Sequence, residues 1–215
     1  MTTWTPLESN PNVINPMIQK IGVSGLKAVD VLFFDDETIE KPQFAVLLCF
    51  PEYKKVDEIM KPIYESAKPA NDSIFFMKQK IANACGTFAL FHALANSEDQ
   101  INIGDGTFGK WLKEAKNVGV EERSGLLEAD KHLSEIHASA AQSGQSTQVD
   151  DVNHHFICFV AKNGVLFEID SRRGFAREVG PTSDETLVKD SGEACKHLIE
   201  KLNNVSFSAI ALVKN

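Results

Sequence analysis

The chain has few cysteines, few cations and no long apolar run. Its four cysteines, Cys49, Cys85, Cys158 and Cys195, lie far apart, and no two form a C-x-x-C pair. Neither a zinc ribbon nor a disulfide scaffold is suggested, and reduced thiols in the cytosol are the expectation. No apolar segment approaches the roughly 20 residues of a membrane span. The start, MTTWTPLESNP, has neither the basic nor the apolar region of a signal peptide. Lys and Arg number 22 against 30 Asp and Glu, a net charge of −8. A nucleic-acid partner wants a basic face and is not expected. A basic protein or peptide partner suits this charge better.

What is present describes one folded unit. The 215 residues are 43% hydrophobic and 24% charged, enough for a single domain over 1–215 whose core needs neither metal nor disulfide. Ser9-Asn10-Pro11 reads as a helix start, with apolar Val13, Ile14, Met17 and Ile21 at helical spacing and Gly22 after them. AVDVLFF (28–34) and FAVLLCF (44–50) read as strands, the second buried on both faces. Residues 52–66 are ambiguous because Pro62 would break a long helix. Helices are expected from Cys85 to about Asn96, over 107–118 and over 121–137. ASAAQSGQSTQVDDV (138–152) is small and polar, a long functional loop by composition. HHFICFVAK and VLFEID, joined by Asn163-Gly164, read as a hairpin. Residues 183–203 read as a helix or a broken pair, and FSAIALV (207–213) as a closing strand. The order predicts a mixed α/β (α+β) fold with non-local strand pairing.

Cys85 falls where a helix begins, at the end of QKIANAC and before an apolar run. A helix N-terminus stabilises a thiolate, and Gly86 would leave room for a substrate carbonyl. A packed thiol fits the same residues, since cysteine is among the most buried types, and Cys49, Cys158 and Cys195 read that way. A nucleophile needs a base, and the base an orienting group. His132, His137 and His197 lie in charged helical stretches and read as surface residues, while His92 sits too far along the Cys85 helix to reach the thiol. His154 and His155 open the hairpin, and its other strand ends in Glu168-Ile169-Asp170. Folding about Asn163-Gly164 sets His155 opposite about residue 172, close to Asp170. Gln79 reads either as an exposed loop side chain or as an oxyanion donor beside the Cys85 backbone N–H.

The residues FMKQ (76–79), NACGT (83–87), HFI (155–157), LFEID (166–170) and TSDETL (182–187), with WTPLESNP (4–11) and FSAIAL (207–212) at the ends, resemble the ubiquitin C-terminal hydrolases, a family of cysteine deubiquitinases. The resemblance runs nearly end to end and in the family's order. It implies a papain-like fold: a central, mostly antiparallel sheet flanked by helices, a knotted backbone, and a crossover loop at about 138–152 over the active site. It also implies roles: Cys85 as nucleophile, His155 as general base and acid, Asp170 orienting the imidazole, and Gln79 as oxyanion donor. His155 is preferred over His154 because Phe156-Ile157 follows it. Ubiquitin contacts are implied for Pro6, Leu7, Glu8, Ser9, Asn10 and Pro11; for Ser139, Ala140, Ala141, Gln142, Ser143, Gly144, Gln145 and Ser146; and for Ser206, Phe207, Ser208, Ala209, Ile210 and Ala211.

The implied activity is thiol-dependent removal of small or unfolded adducts from the C-terminal glycine of ubiquitin, with no cofactor or metal. Alternatives are a hydrolase acting mainly on a ubiquitin-like modifier such as NEDD8, or a catalytically silent ubiquitin-binding module. A general papain-like peptidase fits poorly with a loop over the cleft. The expected form is a short, monomeric catalytic domain in the cytoplasm, with the nucleus as a second location. One departure stands out. The family usually carries Gly after the triad Asp, with a Pro a few residues on, whereas this chain reads Asp170-Ser171-Arg172-Arg173-Gly174.

Overall fold

The computed structural model describes residues 2–35, 37–70, 73–145, 153–202 and 206–215. The chain runs α1 (Pro11–Lys20), β1 (Leu26–Asp30), β2 (Gln43–Pro51), α2 (Tyr53–Ser66) and α3 (Cys85–Asn96). It continues through α4 (Thr107–Ala115), α5 (Val120–Ala129), α6 (Lys131–Ser143), β3 (His154–Lys162), β4 (Val165–Ile169), β5 (Arg177–Pro181), α7 (Leu187–Leu202) and β6 (Ser208–Lys214). The six strands pair antiparallel in the order β1-β6-β2-β3-β4-β5. The closing strand therefore lies between the first two.

Two apolar clusters sit on opposite faces of this sheet. Ala45, Leu47, Phe156, Cys158 and Val160 join the α1 and α3–α6 side. Val46, Leu48, Phe50, Ile157 and Phe159 join the α2 and α7 side. This alternation is the period-two geometry of a strand with helices on both faces. It explains why every residue of β2 is buried. All twelve residues of α3 are buried too, as expected for a helix apolar all round. No helix among the described residues is long and apolar enough to cross a membrane.

The hairpin follows its turn chemistry. Asn163 and Gly164 take positive φ values of 53° and 77°, the left-handed pair of a two-residue turn. Register then runs from Lys162 opposite Val165 to Cys158 opposite Ile169.

Several boundaries differ from the sequence reading. The first strand ends at Asp30 rather than 34; Leu32 and Phe33 are 79% and 70% exposed beyond the sheet. Their β propensity finds no facing strand. Pro62 does not break α2, because it lies on the exposed side. The stretch 121–137 is two helices, divided at Asp130, whose carboxylate accepts the Leu133 N–H at 3.0 Å and starts α6. That helix runs to Ser143, so the expected loop at 138–152 is helical in its first part. Residues 146–152, including Ser146, on which the expected crossing of the cleft and the knot depend, lie outside the described residues. Residues 187–202 form one helix rather than a broken pair.

Candidate active site

Three elements converge at one end of the sheet. Asn83, at φ 60°, turns the chain into α3, so that Cys85 is its first residue, at the end of the helix where backbone N–H groups lack intrahelical partners. Gly86 is there for a packing reason: a Cβ at this position would lie 3.1 Å from Leu7 Cβ and 3.5 Å from Phe156 Cδ2. On this side the space beside Gly86 is taken by Leu7 of the N-terminal arm.

His155 is the second residue of β3 and Asp170 follows β4, as the hairpin predicts. The strands stop pairing at Cys158–Ile169, and the side chains close the remaining gap, with His155 Nε2 2.7 Å from Asp170 Oδ1. The other ring nitrogen, Nδ1, is left for Cys85, which is hydrogen-bonded to the imidazole. Asp170 Oδ1 also accepts the Arg172 N–H at 2.9 Å, and Arg173 Nε lies 3.2 Å from Oδ2. His154, one residue away, is exposed on the lip of the cleft.

Burial disfavours charge on all three groups, yet mutual attraction prevails. For Cys85, the His155 hydrogen bond and charge, with N–H groups of Phe156 and Gly86, outweigh burial and hold the thiol below its ordinary range. For His155, Asp170 and then Cys85 outweigh burial and raise the imidazole to about 9. Asp170 is held below the ordinary carboxylate range despite burial, chiefly by His155. The arrangement stabilises a thiolate beside an imidazolium, the reactive form of a cysteine nucleophile. In Cys49, Cys158 and Cys195 burial instead pushes the thiol up, the behaviour of packed residues.

Gln79 is bonded into the same cluster. Its backbone N–H donates to Ser171 O at 2.8 Å, its Oε1 accepts the Ser171 hydroxyl at 2.8 Å, and its Nε2 donates to Ile81 O at 2.9 Å. It is half-buried, where a bare loop glutamine would be exposed. His92 accepts the Met77 N–H at 3.0 Å and is fully buried, which lowers it to about 3.

His137 departs from the surface reading. It is buried between Thr87 Oγ1 at 2.7 Å and Thr5 O at 2.8 Å, against Trp4, and burial lowers it to about 4. It links the arm to α3. His132 and His197 are exposed, as expected.

A cleft of about 310 Å³ opens over the thiol, lined by the arm at Pro6, Leu7, Glu8 and Ser9 and by Cys85, Phe156, Ser206 and Ser208 among others. Gln145 N donates to Glu8 Oε2 at 2.7 Å, which ties the end of α6 to the arm. The three segments expected to contact ubiquitin therefore lie near one another, though not every residue faces out. Leu7, Ala140, Ala141, Ala209, Ile210 and Ala211 are buried in the core. Among the described residues no group of three or more His, Cys, Asp or Glu side chains is placed to hold a metal ion.

Comparison with known proteins adds sequence and fold likeness. Residues 4–200 match the family model described as ubiquitin carboxyl-terminal hydrolase, family 1. The chain is 39% identical to a ubiquitin carboxyl-terminal hydrolase of Drosophila melanogaster, an alignment covering 99% of this chain and 98% of that one. It is 36% identical to the human isozyme L1, covering 97% of each. Among solved structures, the catalytic domain of Trichinella spiralis UCH37, bound to ubiquitin vinyl methyl ester, superposes with a TM-score of 0.81 over 99% of this chain and 96% of that one, at 22% identity.

Proposed function

The chain belongs to the ubiquitin carboxyl-terminal hydrolases, family 1, and from that premise we propose which of its residues carry the reaction. It is a cysteine-type ubiquitinyl hydrolase, a thiol protease of the ubiquitin pathway. The hydrogen-bonded chain Cys85–His155–Asp170, with His155 Nε2 2.7 Å from Asp170 Oδ1, carries the reading.

The Cys85 thiolate attacks the carbonyl carbon of the terminal glycine of ubiquitin. The oxyanion is held by the Cys85 backbone N–H and by Gln79 Nε2. His155 gives its proton to the leaving amine, which departs as the thioester forms. The neutral imidazole then takes a proton from water, whose oxygen attacks the thioester carbonyl. Collapse expels the Cys85 thiolate, and His155 is again protonated. Asp170 fixes the ring and stabilises its positive charge throughout.

Ubiquitin is the substrate of this reading, and NEDD8 a second modifier the same site would take. Exposed or half-exposed members of the expected contact segments, Pro6, Glu8, Ser9, Asn10, Pro11, Ser139, Gln142, Ser143, Gly144, Gln145, Ser206, Phe207 and Ser208, form the surface offered to it. The intact triad argues against a silent binding module. The enzyme is proposed to act as a monomer on small or unfolded adducts, in the cytoplasm and secondarily in the nucleus.

Ubiquitin and NEDD8 carrying a C-terminal electrophile test the assignment. An adduct is expected with wild type, Cys49→Ser, Cys158→Ser and Cys195→Ser, and none with Cys85→Ser. Absence of an adduct with wild type would reject the reading. Turnover on both modifiers measures preference. A Gly-Ser insertion after Gln145 should admit larger adducts; an unchanged size limit would reject a loop-set size limit.

A further inference from the structure

Ser171 stands where the resemblance leads one to expect glycine, and its side chain is neither exposed nor idle. The residue is 2% exposed and touches Gln79 twice. Its carbonyl accepts the Gln79 N–H, and its hydroxyl donates to Gln79 Oε1, each at 2.8 Å. On the other side of the amide, Nε2 donates one hydrogen to Ile81 O at 2.9 Å.

A primary amide has one acceptor oxygen and two N–H donors, and a half-turn exchanges them. Here the half-turned amide would set Oε1 against Ile81 O, two acceptors face to face. The Ile81 carbonyl can only accept, so it admits one orientation, and in that orientation the Ser171 hydroxyl donates to Oε1 and holds the amide from its other end. In it, one Nε2 hydrogen is spent on Ile81, and the second has no partner among the described residues. Ser171 also follows Asp170, whose Oδ1 holds His155. One short turn thus carries the carboxylate of the triad and the anchor of Gln79.

We propose that Ser171 is a positioning residue for the oxyanion donor, its hydroxyl holding the Gln79 amide with the free N–H toward the reacting carbonyl. This rests on the reading of Gln79 as oxyanion donor. Such a donor is effective because it is aligned before charge develops, so loss of alignment lowers the chemical step rather than binding. One neutral hydrogen bond has a modest net effect, and the expected loss is roughly threefold to tenfold in kcat.

The test compares wild type, Ser171→Ala, Gln79→Ala and the double variant on ubiquitin bearing a C-terminal aminocoumarin amide. Ser171→Ala should lower kcat by that amount, with KM and both limbs of the pH profile unmoved. Gln79→Ala should lower kcat on the order of 10²–10³-fold. In the Gln79→Ala background, Ser171→Ala should have no further effect. A penalty that persists in that background, or a shifted pH limb, would assign Ser171 to Asp170 or to general structure and overturn the proposal. A deep loss in Gln79→Ala with unchanged kcat in Ser171→Ala would remove the proposal and leave the oxyanion reading standing. An unchanged kcat in Gln79→Ala would remove both.

Discussion

Residue by residue, the proposed chemistry depends on a proton being on the ring and off the sulfur. His155 is raised to about 9 while Cys85 is lowered, so the ion pair exists between those two limits. Below the window the sulfur is protonated and cannot attack. Above it the ring is neutral and has no proton for the leaving amine. The profile of kcat/KM on the aminocoumarin substrate should be a bell with its alkaline limb near pH 9. Asp170 is the largest influence raising the ring, so Asp170→Asn should draw that limb to lower pH. An unmoved limb would show that the aspartate does not set it. The two adjacent histidines give a cleaner contrast. His155→Ala should abolish turnover, by a thousandfold or more in order of magnitude, and exposed His154→Ala should keep it within a fewfold. Equal losses would reject the assignment of the base.

The elements answer to hydrogen bonds that cross between them. Thr87 on α3 meets His137 on α6, and Thr87→Val leaves a buried ring nitrogen unpaired. Denaturant unfolding should register a loss of about 1–3 kcal/mol, and no loss would make the link incidental. In α2, Pro62→Ala supplies a missing backbone N–H on an exposed turn and should stabilise by about 1–3 kcal/mol. A lower midpoint would mean that the ring is fitted to its site. These elements also mark what is legible in the sequence. The hairpin register followed from Asn163-Gly164 because turn chemistry is local. With it came the approach of His155 to Asp170. The break at Asp130 was hidden by good helix formers on either side, though an Asp ahead of a new apolar run is a capping signal. His137 read as a surface residue because its burial depends on Trp4, Thr5 and Thr87. Ser171 read only as a departure, since its partner Gln79 is 92 positions away.

For the whole molecule, burial of neutral histidines makes acid the weak side. His92 and His137 sit at about 3 and about 4 in the folded chain, against an ordinary value near 6.5. Their neutral forms are accommodated above pH 6.5, and stability is lost as pH falls from there toward those lower values. His155 has the opposite sign: its contribution is complete below 6.5 and fades as pH rises toward about 9. It therefore does not offset the acid decline. The unfolding midpoint should fall between pH 6.5 and 4, less steeply in His137→Gln. A flat curve would contradict the burial of these rings in the neutral state.

The position of β6 between β1 and β2 bears on how the protein is born. Synthesis delivers the first two strands early and their common partner last, roughly 10–30 s later at about 5–20 residues per second. Throughout that interval the nascent chain presents apolar strands with unjoined edges, the kind of surface that holdase chaperones shield. Cys85, His155 and Asp170 are all translated before β6, so the parts of the proposed triad exist before the sheet that aligns them. A ribosome-stalled chain lacking β6 should accordingly stay protease-sensitive and fail to capture electrophilic ubiquitin. Capture should begin only once the last strand slots home.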